Sequence, residues 1–402
     1  MRQRYGLALA AAGTALILAA TLRPVGGVGP EQPSFWCLVC GARGVAAGFL
    51  NILLFVPFGW GLALLKGPVL AVGASFGLSS MVELIQTTLP GRHSALGDIV
   101  ANTAGGALGA GLFLLHTRIA YLLQGPPLWL KLAAALLPTT VFAATAVLSA
   151  PTFPDGEYHG QWTRRLGTLK PYPGKVISAF VGELPLPDHR LPNQDAVREA
   201  FRSGEPLLVE AVAGTEPAEL SHLFAVYDDR RREVVLVTVQ GSDLFFQRET
   251  RSVRLLLDPP FVRWNGAIRQ REGDTLRIMV RQEARASCME LDAQVRCDLS
   301  GGTGAGWRLL YRLRGARPAL VTVLSLIWLS ALSFPAGAVL GGLGRGVFVG
   351  LALGVSGILV SWWSPWLSPQ LIDLLGPLPG AWAGWAVRQR MARKVEFSEP
   401  LR

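Results

Sequence analysis

The chain has 402 residues, of which 50% are hydrophobic and only 16% are charged. Because an average soluble domain has about 25% charged residues, this composition, with its long uncharged runs, excludes an ordinary soluble protein and indicates an integral membrane protein. The net charge of +10 is not accompanied by a nucleic-acid recognition motif. We therefore expect no nucleic-acid partner and assign the charge to helix ends and to one soluble domain.

Apolar runs predict about eight transmembrane helices. Five of them lie at residues 6–22, 45–65, 68–89, 97–115 and 128–150, and three lie at residues 318–340, 346–363 and 370–387. The first run also suits a cleaved signal peptide, but no convincing small-x-small cleavage site follows it, so we interpret it as a span. Three regions are predicted: a five-helix transmembrane domain at 1–150, a charged, turn-rich domain at 151–317, and three C-terminal helices with a basic tail at 318–402.

The Lys and Arg residues of short loops predict the orientation of these helices, because cytoplasmic loops carry an excess of positive charge. With a cytoplasmic N-terminus, the charges that fall inside are Arg2, Arg4, Lys66, Arg118, Arg345 and the RQRMARK tail at 388–394. Arg23, Arg43 and Arg92 then lie on the outer side as exceptions. Both termini are expected in the cytoplasm, and the domain at 151–317 is expected on the outer side.

The four cysteines form two close pairs, Cys37 with Cys40 and Cys288 with Cys297. The CLVC motif suits half of a zinc ribbon or a thioredoxin-like redox site, but the second CxxC and the βαβ context that these need are missing. A local disulfide or two apolar thiols remain as interpretations. The second pair brackets a segment of hairpin length, where a cross-hairpin disulfide would suit an oxidising compartment. We expect no metal and no cofactor.

Polar side chains gather at the predicted outer ends of the second, third and fourth spans. Glu83 and Gln86 end the third span, Asp98 and Asn102 begin the fourth, and Asn51 lies at a similar level in the second. At 1.5 Å per residue, these groups fall within about 10 Å of one membrane surface.

Their spacing places them on two helical stripes. One stripe consists of Ser75, Ser79, Glu83 and Gln86, and the other of Asp98, Asn102 and the glycines at 105, 106 and 109. We expect the stripes to face each other, with Arg92 of the connecting loop within reach of Glu83 or Asp98.

Two interpretations of this cluster stay open. Ionisable groups at membrane depth are costly and by default mark function, which predicts a ligand-binding site made of Asn51, Glu83, Gln86, Arg92, Asp98 and Asn102. Alternatively, Asp98 only caps the fourth helix and Arg92 only neutralises Glu83. No nucleophile or metal cluster accompanies these residues, so no catalytic residue is assigned.

The segments NILLFVPFGWGLAL and SSMVELIQTTLPGRHSALGDIVANTAGGALGAGL carry a family resemblance. The matching positions are Asn51, Phe55, Pro57, Gly59, Glu83, Gln86, Arg92, Asp98, Asn102 and Gly105. Together they resemble the VanZ-like family of bacterial membrane proteins over roughly residues 1–150. The resemblance implies a place in the bacterial inner membrane and the cell envelope, and a relation to teicoplanin resistance, without implying a particular reaction.

The region at 151–317 contains alternating β-branched and aromatic runs separated by turn residues, which predict strands. The runs are PLLVEAVAG (206–214), HLFAVYD (222–228), EVVLVTVQG (233–241), DLFFQRET (243–250) and DTLRIMVRQ (274–282). Strands at this spacing predict an antiparallel sandwich. Residues 175–310 resemble the concanavalin A-like, laminin-G-like jelly-roll superfamily, which implies a carbohydrate-binding or docking module. Trp162, Trp264 and Trp307 would either stack on sugars or pack in the core.

The main functional hypothesis is a protein that binds a membrane lipid or a lipid-linked envelope precursor at the polar cluster, with a glycan on the β-sandwich. Arg92 would pair with a phosphate or carboxylate, oriented by Glu83 and Asp98, while the three amides donate hydrogen bonds. The alternatives are an enzyme of envelope-polymer or headgroup transfer or hydrolysis, with Glu83 or Asp98 as general base, and a structural scaffold. Asp373, the acid of the C-terminal spans, either joins the cluster or lies at the interface.

Overall fold

A computed structural model describes residues 2–23, 34–167, 169–283, 286–297, 299–313, 316–341 and 345–396. Within these ranges, seven helices are long and apolar enough to span a membrane, and a separate region is made of antiparallel sheets. This confirms a polytopic helical membrane protein with a β domain. The chain divides into two compact units, residues 1–126 with 254–258, and residues 127–253 with 259–402.

The first unit is a helical bundle. Its helices are α1 (Arg2–Thr21), α2 (Gly44–Lys66), α3 (Pro68–Gln86) and α4 (Leu96–Gln124). The fifth helix, α5 (Leu128–Leu148), lies in the second unit, whereas the sequence grouped it with the first four.

The glycines of α4 bring its backbone against α2. A Cβ atom on Gly105 would lie 2.2 Å from the carbonyl oxygen of Ile52, and one on Gly109 would lie 2.3 Å from that of Val56. Small residues let membrane helices approach this closely, and van der Waals packing then holds them. The contact fixes the register between the two helices that carry Asn51 and Asp98.

A short segment from the middle of the chain completes the first unit. Residues 254–258 belong to it, and the side chain of Arg43 forms an ion pair of 2.6 Å with the buried carboxylate of Asp258. The backbone N–H of Ala46 also donates to the carbonyl of Leu256. The carbonyl of Leu256 thus supplies an acceptor for the first turn of α2, whose backbone N–H groups have none within the helix, and the ion pair holds the segment beside it.

The second unit contains the β domain. Its strands are β1 (Tyr158–Trp162), β2 (Lys170–Pro171), β3 (Lys175–Val181), β4 (Leu184–Pro185), β5 (Leu207–Val212), β6 (Ser221–Asp228), β7 (Glu233–Gln240), β8 (Asp243–Arg248), β9 (Phe261–Trp264), β10 (Thr275–Glu283), β11 (Ala286–Leu291) and β12 (Gln294–Arg296), and its surface helix is α6 (Gln194–Ser203). The five strands predicted from the sequence, which are β5 to β8 and β10, are all present.

Two six-stranded sheets form a sandwich. One has the order β1-β6-β7-β8-β9, with β2 parallel to β6, and the other has the order β12-β11-β10-β5-β3-β4. Apolar side chains from both sheets, including Phe224 and Val237 from the first and Val209 and Ile278 from the second, form one buried core. Strands such as β5, with the burial of its residues alternating along its length, show the period of two that a strand imposes.

The C-terminal helices also belong to the second unit. They are α7 (Pro318–Leu340), α8 (Gly346–Trp363), α9 (Leu371–Leu375) and α10 (Pro377–Glu396). The eighth predicted span, 370–387, is divided between α9 and α10, and α10 is not among the helices apolar enough to span a membrane. Its C-terminal half carries the basic residues of the RQRMARK segment, which lower its hydropathy.

Asp373, an acid of the C-terminal helices, is bonded within the second unit and does not lie beside solvent. It is fully buried in the second unit, where its carboxylate accepts the N–H of Gly304 at 2.7 Å and that of Gln370 at 3.0 Å. The second bond is half of a capping box at the start of α9. Asp373 therefore joins α9 to the 3-10 helix at Thr303–Leu309.

Gly105→Ala is expected to destabilise the protein, because its methyl group would overlap the backbone of α2. Overpacking of this kind costs about 1–3 kcal/mol. Gly111→Ala is the matched control, since a Cβ atom at this position of the same helix meets nothing within 4 Å. Thermal unfolding of the purified protein in detergent should show a lower Tm for Gly105→Ala only. Equal Tm values for the two variants would contradict the close α2–α4 contact.

Candidate functional site

The two polar stripes face each other where α3 packs against α4. The side-chain amide of Asn102 donates to the hydroxyl of Ser79 at 2.9 Å, and both residues are buried. Ser75, one turn before Ser79 in α3, lies against Gly106. A Cβ atom added to Gly106 would be 2.0 Å from the serine oxygen. The stripes thus meet through small and polar side chains, as their spacing predicts.

Glu83 connects α3 to the start of α4. Its carboxylate accepts the backbone N–H of Ala95 at 2.9 Å, and its backbone carbonyl accepts the hydroxyl of Ser94 at 2.5 Å. Ala95 is the residue before α4, and its own side chain cannot cap the helix. Glu83 is only 4% exposed, so its carboxylate serves the chain itself.

Gln86 and Arg92 bind the C-terminal end of α1. The amide of Gln86 donates to the carbonyl of Thr21 at 2.9 Å. The guanidinium of Arg92 donates to the carbonyls of Arg23 at 2.9 Å and Ala20 at 3.0 Å. The last carbonyls of a helix lack partners within the helix and carry the negative end of its dipole, so a cation is stabilised there.

Arg92 was expected to pair with Glu83 or Asp98. Among the residues that the structure describes, it forms no ion pair within 4.0 Å with either carboxylate. The end of α1 takes the guanidinium instead, because the carbonyls of Ala20 and Arg23 lie within hydrogen-bond distance of it. The sequence pattern gave no sign of this, since α1 contributes only backbone atoms.

Asp98 and Asn51 form the pair that joins α2 to α4. The amide of Asn51 donates to the Asp98 carboxylate at 2.8 Å. Asp98 lies in the first turn of α4, where the helix dipole favours a negative charge, but no side chain caps that helix. Both residues are partly exposed, so the pair is accessible in a way that Glu83 is not.

The CLVC segment supplies the backbone acceptors that α4 lacks. Leu96 donates to the carbonyl of Phe35 at 2.7 Å, and Gly97 donates to that of Cys37 at 3.1 Å. Cys37 and Cys40 are joined by a disulfide that closes this loop. A link between this loop and the polar cluster was not predicted, although the place of the loop just before α2 was a signal that it lies near the start of α4.

The second cysteine pair lies in the β domain, where a disulfide joins Cys288 of β11 to Cys297 beyond β12. Glu283 and these two cysteines form the one group of acidic, thiol or imidazole side chains close enough to hold a metal among the described residues. Because both sulfurs are in the disulfide, they are not thiolate ligands.

The six candidate residues therefore fall into two sets. Glu83, Gln86 and Asn102 are each at most 5% exposed and bind other parts of the first unit. Asn51, Arg92 and Asp98 are partly exposed. We call the second set the accessible triad. It is the part of the cluster that a molecule outside the protein can contact.

Residues 14–117 match the VanZ/LLP1 family model. This range contains all six candidate residues and confirms the resemblance found in the sequence; the β domain and the C-terminal helices lie outside it. Searches of curated proteins and of solved structures give no significant match.

Glu83→Ala is expected to lower the free energy of unfolding by about 1–3 kcal/mol, because the buried N–H of Ala95 loses its acceptor. Glu83→Gln keeps an acceptor oxygen of the same reach and should remain close to the wild type. Denaturant unfolding in detergent distinguishes the two variants. Equal losses in both would show that the carboxylate charge, and not the hydrogen bond to Ala95, is what the site requires.

Proposed function

We propose that this VanZ-like membrane protein lies in the bacterial inner membrane and binds a lipid-linked or glycan component of the cell envelope at the outer ends of α2, α3 and α4. The observation that carries the proposal is the accessible triad. A cation, a carboxylate and an amide remain partly exposed at one end of an apolar helical unit, while the other polar groups nearby are buried and bonded.

The chemistry of the triad suits a headgroup that carries both phosphate and hydroxyl groups. Arg92 uses Nε and one terminal nitrogen to bind α1, and a guanidinium has five N–H donors, so donors remain for a phosphate or carboxylate oxygen. Charge-assisted bonds of this type are about twice as strong as neutral ones. Asp98 and Asn51 offer an acceptor and a donor to sugar hydroxyls.

Glu83, Gln86 and Asn102 support a structural role in the same domain. Each is buried, and each joins two different segments of the first unit. We assign them to holding the helices that present the triad. The enzyme alternative gains no support from Glu83, because its carboxylate accepts the N–H of Ala95 in a buried position.

We also propose that the N-terminus is cytoplasmic and that the β domain, which follows five spanning helices, is extracytoplasmic. The two later spanning helices, α7 and α8, return the chain to the outer side, so the proposed cytoplasmic C-terminus requires α9 and α10 to cross the membrane together. Arg23, Arg43 and Arg92 are the exceptions to the positive-inside pattern, and they are outnumbered by the basic residues placed inside. Two disulfides are consistent with an oxidising compartment for both loops.

The β domain is proposed as a docking module for a glycan or a protein of the envelope, with a concanavalin A-like fold. Two of the three tryptophans considered for sugar stacking, Trp264 and Trp307, are 5% and 8% exposed, so they pack in the interior. Trp162 is partly exposed, and its indole N–H donates to the carbonyl of Leu186 at 3.0 Å. Of the three, Trp162 is the one that keeps exposed surface for a glycan.

Removing the exposed charges of the triad should reduce the amount of bound envelope lipid. Arg92→Ala and Asp98→Asn are each expected to lower it about tenfold, since a bond to a charged group contributes about 1.5–3 kcal/mol. The measurement is mass spectrometry of lipids that co-purify with the protein, together with the teicoplanin susceptibility of the producing cells.

Arg118→Ala is the control, because this exposed arginine lies near the opposite end of α4. Lipid content and susceptibility should stay at wild-type levels in this variant. Wild-type lipid content and susceptibility in both Arg92→Ala and Asp98→Asn would contradict the proposed ligand site. The polar cluster would then have only the role of holding the helices together.

The proposed orientation predicts oxidised cysteines in intact cells. A maleimide-polyethylene glycol reagent should add no mass before reduction and four units after it, because all four cysteines are paired. Cys297→Ser should leave one free thiol, Cys288, which labels without reduction once the protein is denatured, because its side chain is buried in the fold. A β domain that labels fully without reduction would argue for a cytoplasmic location.

A further inference from the structure

A cavity in the second unit, remote in sequence from the residues matched by the family model, contains two arginines. It has a volume of about 40 Å³. Its lining includes Arg248 of β8, Arg308 of the 3-10 helix, Trp366, and the hydroxyl residues Ser287 and Ser300. A space of about 10–15 Å³ holds one water molecule, so this cavity accommodates a group of a few atoms.

A larger cavity of about 300 Å³ shares Gly301, Ala305 and Arg308 with the first one. The rest of its wall is part apolar and part polar: Leu299, Val321, Thr322, Ser325, Gln370, Leu371 and Ile372. Thr322 and Ser325 lie in the first turns of α7, a helix long and apolar enough to cross a membrane. Arg308 therefore lies between a small cavity and a larger one near the end of a membrane helix.

Arg308 is held by ring contacts and not by a carboxylate. Its guanidinium lies 5.4 Å from the ring centre of Phe261 and 5.8 Å from that of Trp307. One terminal nitrogen donates weakly to the carbonyl of Phe261 at 3.4 Å, and the buried Nε has no hydrogen-bond partner among the described residues. A buried donor of this kind costs free energy unless something accepts from it.

Arg248 is in a similar environment. One of its terminal nitrogens donates to Gln282 and to the hydroxyl of Ser287, both at 2.8 Å, and its guanidinium lies 4.8 Å from the ring centre of Trp366. These partners are all neutral. They orient the cation without compensating its charge.

Three other partly buried arginines of the β domain differ in this respect. Arg198, Arg232 and Arg263 each have a carboxylate within 2.7 Å. Arg248 and Arg308 have none within 4.0 Å among the residues that the structure describes. Both Arg248 and Arg308 line the cavity.

The charge of these two side chains is therefore poorly compensated. Burial lowers the pKa of the Arg248 guanidinium to about 10, and burial together with the positive charge of Arg263 lowers the pKa of Arg308 to about 10. Both remain cations at neutral pH. Desolvated charges without a counterion are unfavourable, and an anion in the cavity would relieve this cost.

The wall that carries Arg308 is fixed in place. Asp373 accepts the N–H of Gly304, and the hydroxyl of Ser361 in α8 accepts the N–H of Thr303 at 3.1 Å. The indole of Trp307, next to Arg308, donates to Ser325 of α7 at 3.1 Å. The guanidinium is thus positioned before any ligand arrives, which reduces the ordering that binding requires.

We propose that the cavity at Arg248 and Arg308 binds the phosphate group of a phosphate monoester or diester. Planar guanidinium groups match two phosphate oxygens at once, and the larger cavity beside Arg308 has room for the uncharged part of the molecule. The phosphate comes either from a lipid headgroup or from a soluble molecule. This site shares no residue with the accessible triad, so the two proposals stand or fall separately.

The test uses the full chain in detergent, with two probes. Phosphatidylglycerol is titrated and the bound lipid is counted by native mass spectrometry, with phosphatidylcholine for comparison. Inorganic phosphate is titrated and Tm is followed, with chloride at equal ionic strength for comparison. A bound anion should raise Tm, because it binds only the folded state.

Arg248→Gln and Arg308→Gln should each weaken binding about ten- to a hundredfold, from the loss of charge-assisted hydrogen bonds. Arg269→Gln, which removes an exposed arginine of the same domain, should leave binding unchanged. Arg308→Lys keeps the charge and should retain part of the affinity, which separates loss of binding from loss of folding.

Selective binding of phosphatidylglycerol without a response to inorganic phosphate supports a lipid headgroup as the ligand. A phosphate-specific rise in Tm without lipid selectivity supports a soluble phosphate ester. The proposal is overturned if the wild type responds to neither probe, or if both glutamine variants bind as the wild type does. The phosphate-dependent Tm of the wild type needs no variant, so misfolded variants leave the test decisive.

Discussion

A polar side chain inside a membrane protein has to find its hydrogen-bond partner within the protein, because lipid chains supply none. The architecture of the first unit follows from this constraint. Glycines in α4 bring its backbone against α2, and Asn51 then reaches Asp98. In the same way, Glu83 reaches Ala95 and Asn102 reaches Ser79. The apolar packing sets the distances, and the polar bonds make the packed arrangement specific.

The same constraint separates structural from available polar groups. A buried carboxylate that accepts a backbone N–H has little capacity left for a ligand, whereas a partly exposed pair keeps some. This is why the cluster divides between Glu83, Gln86 and Asn102 on one side and the accessible triad on the other. The β domain shows a corresponding distinction. Arg198, Arg232 and Arg263 have carboxylate partners, whereas Arg248 and Arg308 face a cavity and have no carboxylate partner among the described residues.

Much of this could be predicted from the sequence, for identifiable reasons. Helical spacing placed Ser79 and Glu83 on one stripe and Asp98 and Asn102 on another, since side-chain direction follows directly from the period of the helix. Strand alternation located β5 to β8 and β10. The family resemblance was confirmed over residues 14–117.

The contacts that the sequence did not predict involve backbone atoms or distant loops. Arg92 binds carbonyls at the end of α1, and the CLVC loop caps α4 through the carbonyls of Phe35 and Cys37. Backbone carbonyls are present at every residue, so they leave no mark in the amino-acid pattern. The short or irregular strands β1, β3 and β9 were missed for a related reason, because few alternating residues distinguish them from loops.

The segment at 254–258 has a consequence for how the protein is made. Synthesis proceeds from the N-terminus, and domains usually fold as they emerge. Here the first unit takes Leu256 and Asp258 from the far side of eight strands of the β domain. The partners of Arg43 and Ala46 do not exist until more than half of the chain has been translated. The helical unit therefore forms its bonds to Leu256 and Asp258 late. By then strand β8, which carries Arg248 of the arginine-lined cavity, has already been synthesised.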